Sequence, residues 1–441
     1  MSDGRPVDPV RTTSASDGDG ASGVGAGRVG DGGADRADDV GVVEATSPDP
    51  SVIDPVTATH PPVTRRRRHR LLRRPAFAIG DVEVAAGRSD IGQIPIARLV
   101  TGNQISLPVN VVHGRHEGPV VWLSAAVHGD EIGGVEIIRR TLADVDATSL
   151  AGTIVAVPIV NVHGFLNGDR YLPDRRDLNR SFPGSPTGSL AARLAHLFIT
   201  EVVDRCDVGI DLHTGSDHRT NLPQIRADLD DPRTRDLAIA FGAPLMMHAK
   251  LRDGSMRAAA TSTGSTVLLY EGGEAWRFDR FAIEAGVAGV GRVLARLGMT
   301  SPTDTPVGLD GALATPVPAE SRSSGWVRVR RSGIALLDVE LGQHVERGDV
   351  IATVRDSVGR RLSRTRASRS GMVIGHTQQP LVNQGDAIIH IAEIVGSPSD
   401  GPVESSERPV EPERAGIATS ARSTRPPGAH PPDPTETEAH P

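Results

Sequence analysis

Val120-Val121-Trp122-Leu123-Ser124-Ala125-Ala126-Val127, running into His128-Gly129-Asp130-Glu131, is the stretch on which the fold turns. A nearly unbroken apolar run of this length reads as a strand buried on both faces. It ends abruptly in polar residues, and a helical pattern from Ile132 to Leu142 follows at once. Two further runs have the same look: Thr153-Ile154-Val155-Ala156-Val157-Pro158-Ile159-Val160 and Val208-Gly209-Ile210-Asp211-Leu212. A second helical pattern, Ser189 to Asp204, lies between these two. Apolar strands alternating with amphipathic helices predict an α/β domain with a mostly parallel sheet covered on both faces.

Outward from this centre the composition changes. Residues 1–75 are rich in Gly, Asp, Ser and Pro, too poor in apolar surface to offset chain entropy, and read as a disordered tail. The tail ends in Arg65-Arg66-Arg67-Arg68-His69-Arg70-Leu71-Leu72-Arg73-Arg74. A solvated basic linker is the favoured reading; the rival is a weak contact with nucleic acid or an anionic surface. Residues 76–115 carry short alternating runs and predict a small antiparallel β element. The α/β region spans 116–300, a linker 301–323, and a second disordered tail 394–441.

Residues 324–393 return to short strands split by Gly turns, in two similar halves that open on Ser332-Gly333 and Ser370-Gly371. The repeat predicts a small all-β, barrel-like domain. It resembles lipoyl and biotinyl carrier barrels, yet it has no lysine, which excludes covalent attachment of such a cofactor. Packing against the α/β domain, over its site or as a homo-oligomer contact, is the expected role.

The net charge of −7 marks no global nucleic-acid binder. Cys206 is the only cysteine, so an intrachain disulfide and a thiolate zinc cluster are both excluded. No apolar run reaches transmembrane length, and the acidic N-terminus lacks the features of a signal peptide, so a soluble cytoplasmic protein is expected.

In open α/β sheets ligands bind beyond the carboxyl ends of the strands. His128 and Glu131 follow one such end, and Asp211-Leu212-His213 delivers a second imidazole to another. Two histidines and a glutamate form a recurrent catalytic zinc set, with a fourth position left for water. A fourth apolar run, Thr266-Val267-Leu268-Leu269-Tyr270, ends in Glu271, a candidate general base, with Glu274 as its competitor. Arg170, Asn179 and Arg180 lie in polar stretches after the second strand, where an arginine fork suits a carboxylate. Arg175 and Arg176 read as surface residues, Trp122 and Trp276 as packing residues, and His113, His116, His218 and His248 as surface or loop histidines.

Together, His128-Gly129-Asp130-Glu131, Asp177-Leu178-Asn179-Arg180, Asp211-Leu212-His213 and Glu271-Gly272-Gly273 resemble the succinylglutamate desuccinylase/aspartoacylase family of zinc carboxypeptidase-like amidohydrolases. The resemblance implies one zinc ion per subunit on His128, Glu131 and His213, with Glu271 as the catalytic glutamate. It further implies Arg170 as the group polarising the scissile carbonyl, and Asn179, Arg180 and Arg257 on the substrate side. The implied reaction is deacylation of a small N-acyl amino acid or related carboxylate-bearing amide. A zinc carboxypeptidase or esterase on the same scaffold is the nearest alternative, and a non-catalytic zinc-binding interaction protein the alternative from another class.

Overall fold

The computed structural model describes residues 74–216, 218–301 and 317–396. Nearly all of the expected tails, the basic run before Arg74 and most of the linker lie outside the described residues, and Ile394, expected to open the second tail, ends strand β18. The elements run in chain order as follows. Strands β1 (Phe77–Ile79), β2 (Val82–Val84), β3 (Arg88–Arg98), β4 (Gln104–His113) and β5 (His116–Ala125) lead to α1 (Gly133–Ala143). Then come β6 (Ala151–Val157), α2 (Val162–Asn167), α3 (Leu190–Glu201), β7 (Val208–Gly215), β8 (Arg219–Ala227) and α4 (Pro232–Phe241). Next are β9 (Leu245–His248), α5 (Met256–Ser262), β10 (Thr266–Glu274) and α6 (Arg280–Arg296). The C-terminal strands are β11 (Ala319–Arg328), β12 (Gly333–Leu337), β13 (His344–Val345), β14 (Val350–Arg355), β15 (Arg361–Arg366), β16 (Gly371–Thr377), β17 (Leu381–Val382) and β18 (Ala387–Ile394).

One sheet of 12 strands carries the architecture, in the order β13-β16-β18-β11-β9-β8-β10-β7-β5-β6-β4-β3. Its centre, β10-β7-β5-β6, is parallel throughout. The flanks are not: β4 joins β6 antiparallel, and β8 joins β10 antiparallel. The sheet is therefore mixed rather than mostly parallel. The reason is local: β4–β5 and β7–β8 are joined by connections too short for a crossover helix, so the chain reverses direction at each.

Both faces of the sheet centre are covered, which is why its strands read as continuous apolar runs. Ile137, Ile210, Leu212, Leu268, Tyr270, Phe241 and Val290 fill one side. Trp122, Val127, Val155, Val267, Leu194 and Phe198 fill the other. Trp122 is fully buried, as its reading as a packing residue requires. His113 is not a surface residue: it is buried at the end of β4, with Thr153 Oγ1 and the Pro75 carbonyl on its two ring nitrogens at 2.9 and 2.8 Å.

Strands β12, β14, β15 and β17 form a second sheet whose core is shared with β11, β16 and β18 through Ala335, Ile351, Val354, Val373 and Ile389. Strand β11 begins at Ala319, inside the stretch read as linker, because it extends β9 in parallel register from Ala319 opposite Leu245. β16 also pairs with β8. That extra pairing closes β8, β9, β11, β18 and β16 into a ring, filled by Leu222, Leu245, Met247, Ile374 and Ala392. The C-terminal strands are thus continuous with the sheet that carries the candidate site.

Candidate metal centre

The strand ends deliver the chemistry. After β5 the chain turns through Ala126, whose φ of +47° places a non-glycine residue in the left-handed region. Such a conformation costs on the order of 1–3 kcal/mol and persists where surrounding contacts hold it. Here the carbonyls of Ala125 and Ala126 accept from Val160 N and Asn161 N at 3.1 and 2.8 Å. Gly129 follows because no side chain fits: a Cβ there would stand 2.0 Å from the Gly164 carbonyl carbon.

His128, Glu131 and His213 converge, each buried to within 4% exposure. Nδ1 of His128 lies 2.7 Å from Glu131 Oε1, and Nδ1 of His213 lies 2.7 Å from Glu131 Oε2. The opposite ring nitrogens are already claimed. Nε2 of His213 meets Asp211 Oδ2 at 2.8 Å, and Nε2 of His128 meets Asp177 Oδ1 at 3.2 Å. Asp211 is held in turn by the Ser124 hydroxyl at 2.8 Å. Each carboxylate fixes its imidazole, leaving both Nδ1 atoms aimed at one point beside Glu131.

One potential ligand atom from each of the three residues lies within 4.8 Å of the others. Two imidazoles and a carboxylate, with the far ring nitrogens bonded to carboxylates, are the donor chemistry a zinc ion takes. The residues fit the group.

Charge is compensated inside the cluster. Burial opposes protonation of His128 and His213, but neighbouring carboxylates outweigh it and raise both pKa values. For Glu131 burial acts upward, yet the two imidazoles hold the carboxyl well below the usual carboxylate range. Asp130, whose buried Oδ1 has no partner, is pushed up to about 6 by burial and by Glu131.

Arg170 joins the cluster, donating to Glu131 Oε1 at 3.2 Å and to Asp177 Oδ2 at 3.1 Å. Asp177 therefore links Arg170 to His128, and its carboxyl sits below its ordinary pKa: burial acts upward, but His128 and Arg170 outweigh it. Asn179 Oδ1 accepts from Met256 N at 2.9 Å, and Arg180 donates to the Asn179 carbonyl at 2.5 Å.

Glu271 stands opposite His213 in the β10–β7 register, so both side chains share a face. Its Oε2 accepts from Asn221 Nδ2 at 2.8 Å, and its Oε1 lies 3.9 Å from Arg226 Nε. Glu274 is buried and faces Arg277 at 3.4 Å. Arg257 is buried too, but its guanidinium donates to the carbonyls of Ala249 and Lys250, both at 2.9 Å, and to none of the cluster residues.

Other expectations shift. Trp276 is not a packed residue: half of it is exposed, and its indole N–H donates to the Gly168 carbonyl at 2.8 Å. Arg74, the end of the basic run, is spent internally on the carbonyls of Gly114 and Gly152 and on Thr153 Oγ1. Burial pushes the Cys206 thiol up, away from reactivity. Among the described residues no helix is long and apolar enough to cross a membrane. Asp211 and Asn221 were not assigned roles from sequence; Asp211 was findable, since residues i and i+2 of a strand share a face and His213 is its i+2.

An α/β sheet with two histidines and a glutamate gathered at its carboxyl edge, and a second glutamate in register beside them, is the arrangement of a candidate metal site. Residues 117–297 match the family model described as the succinylglutamate desuccinylase/aspartoacylase catalytic domain. The chain is 29% identical over 339 residues to the N-alpha-acetyl-L-2,4-diaminobutyric acid deacetylase of Halomonas elongata, covering 73% of this chain and 96% of that protein. Its fold is similar to a succinylglutamate desuccinylase/aspartoacylase from Rhodobacter sphaeroides (TM-score 0.63, 24% identity, 73% of this chain and 100% of that one). It is also similar to the product-bound ectoine utilization protein EutE (DoeB) from Ruegeria pomeroyi (TM-score 0.62, 23% identity, 70% and 97%). Across residues 117–297 the chain is thus similar to the catalytic domain of the succinylglutamate desuccinylase/aspartoacylase family, and over most of its length to a deacetylase.

Proposed function

We propose that this protein is a zinc-dependent deacylase of small N-acyl amino acids, with the metal held by His128, Glu131 and His213. The observation that carries the reading is the convergence of two Nδ1 atoms on Glu131, both rings fixed from behind by carboxylates, beside Glu271. Zinc in such a ligand set supplies Lewis acidity and an activated water.

The residues of the chain supply the rest. Glu271 accepts the proton of the attacking water and returns it to the leaving amine, as a general base and then acid. Arg170, fixed by Asp177, holds its guanidinium beside the ligand cluster, where it counters negative charge developing on the carbonyl oxygen. Asn179 and Arg180, positioned from the loop ahead of α3 and by the start of α5, receive the substrate carboxylate. Arg257 supports that side through its hold on the Ala249–Lys250 backbone.

Because one relative is named for Nα-acetyl-L-2,4-diaminobutyrate, that compound heads the test panel, with acetyl- and succinyl-amino acids, C-terminal peptides and simple esters beside it. Acyl release by the zinc-loaded protein, absent in His128→Ala, is expected. Equal release by the two proteins, or none from any panel member, would sink the proposal.

A further inference from the structure

Glu271, the proton-transferring group in the proposed reaction, is anchored from β8 rather than from its own strand. Asn221 Nδ2 donates to its Oε2 at 2.8 Å, while Arg226 stands off at 3.9 Å from Oε1. An ionised carboxylate only accepts, so the amide nitrogen must face Glu271 and the amide oxygen must face away. The oxygen points at β16: Gly375 is the register partner of Asn221 across the β8–β16 pairing.

Gly375 sits where three strands meet, paired with Asn221 of β8 and His390 of β18, at a register shift in β16. A Cβ there would stand 2.9 Å from Asn221 Oδ1 and 3.3 Å from the Thr220 carbonyl. The amide keeps its place only because residue 375 has no side chain. A wall of the candidate site is therefore set by a strand more than a hundred residues downstream of Glu271.

We infer that Asn221 is the positioning residue for Glu271, and that β16 of the C-terminal strands, through Gly375, sets the orientation of Asn221. The inference rests on the role proposed for Glu271. With Oε2 committed to Asn221, Oε1 is the oxygen left to take and return the proton. The C-terminal strands then act as part of the reaction centre, through the ring they close with β8 and β9.

The test compares wild type with Glu271→Gln, Asn221→Asp, Asn221→Ala and Gly375→Ala. Read out are kcat and KM on whichever panel substrate the wild type turns over, zinc content, and a crystal structure of Gly375→Ala. Asn221→Asp keeps the shape of the residue but removes the N–H donors. Both Asn221 variants should lose about 10- to 100-fold in kcat, the worth of one hydrogen bond to a charged group, with KM within about twofold and zinc retained. Gly375→Ala should lose less, and its structure should show Asn221 Nδ2 and Glu271 Oε2 out of hydrogen-bond range. An Asn221→Asp enzyme with wild-type kcat, or an undisturbed contact in Gly375→Ala, overturns the inference. A fully active Glu271→Gln overturns instead the role of Glu271, and the crystal structure decides the Gly375 contact whatever the substrate proves to be.

Discussion

Two groups of three potential metal ligands occur among the described residues: His128, Glu131 and His213, and Asp228, Asp230 and His248. By residue type they look alike. In the first, each ring has one nitrogen bonded to a carboxylate and the other aimed at a common point, with His128, Glu131 and His213 all buried. In the second, the His248 ring lies between two carboxylates, each 3.8 Å from a different nitrogen, so its nitrogens diverge. Nδ1 of that ring already accepts from Leu229 N at 3.3 Å, and exposed Asp230 is bonded to Arg322 at 2.7 Å. A ligand set is made by what stands behind the ligands and by exclusion of water, not by three suitable residues within reach.

The largest effect that could break this contrast is at the buried cluster. His213→Ala should abolish stoichiometric zinc binding and lower turnover by roughly three orders of magnitude or more, read by metal analysis and steady-state kinetics. Retention of a full equivalent of zinc would erase the distinction between the two groups. Next comes the ring support: Asp211→Ala should weaken zinc about 10- to 100-fold in competition with a chelator while leaving the ligands in place.

A third prediction sharpens what carboxylate partners do for a buried imidazole. His390 is buried without one, between the charges of Arg226 and Arg369, and burial first and then those cations lower its pKa to about 3. It is neutral in the fold, stacked on Trp326 at 4.8 Å and bonded to Ser324 Oγ at 3.0 Å. The unfolded chain takes up a proton near pH 6.5 that the folded chain refuses. This contribution to stability is therefore complete above pH 6.5 and lost as pH falls from there toward 3, with a limiting slope of about 1.4 kcal/mol per pH unit. Urea unfolding between pH 7 and pH 5 should show that slope for wild type and a shallower one for His390→Phe; equal slopes would show that His390 protonates freely. The smallest effect belongs to the exposed group. His248→Ala should leave zinc stoichiometry and the unfolding midpoint unchanged within scatter, and a lost equivalent of zinc would mark a second centre.

Much of the candidate site was legible because strands obey simple rules. The apolar runs placed β5, β6, β7 and β10, and their carboxyl ends placed His128, Glu131, His213 and Glu271 at one edge. Alternation along β7 also contains Asp211, two residues before His213. What could not be read was everything made by strands that meet from far apart. Asn221 reads as one polar residue in a strand until β10 brings Glu271 beside it and β16 brings Gly375. Nor could the sequence show that the chain beyond β9 lays two carbonyls against the Arg257 guanidinium. The parallel sheet predicted from apolar runs became mixed because burial on both faces makes a strand apolar whichever way it points.

From sequence alone came the α/β core, the candidate metal ligands and the candidate base beside them, since period and strand ends are local properties of the chain. Only the tertiary structure decided which nitrogen of each histidine faces the cluster, what holds Glu271 still, and that the C-terminal strands close onto β8. Those depend on hydrogen bonds between segments up to about 150 residues apart, and the alternation within one strand says which face a side chain takes but not which distant strand it will meet.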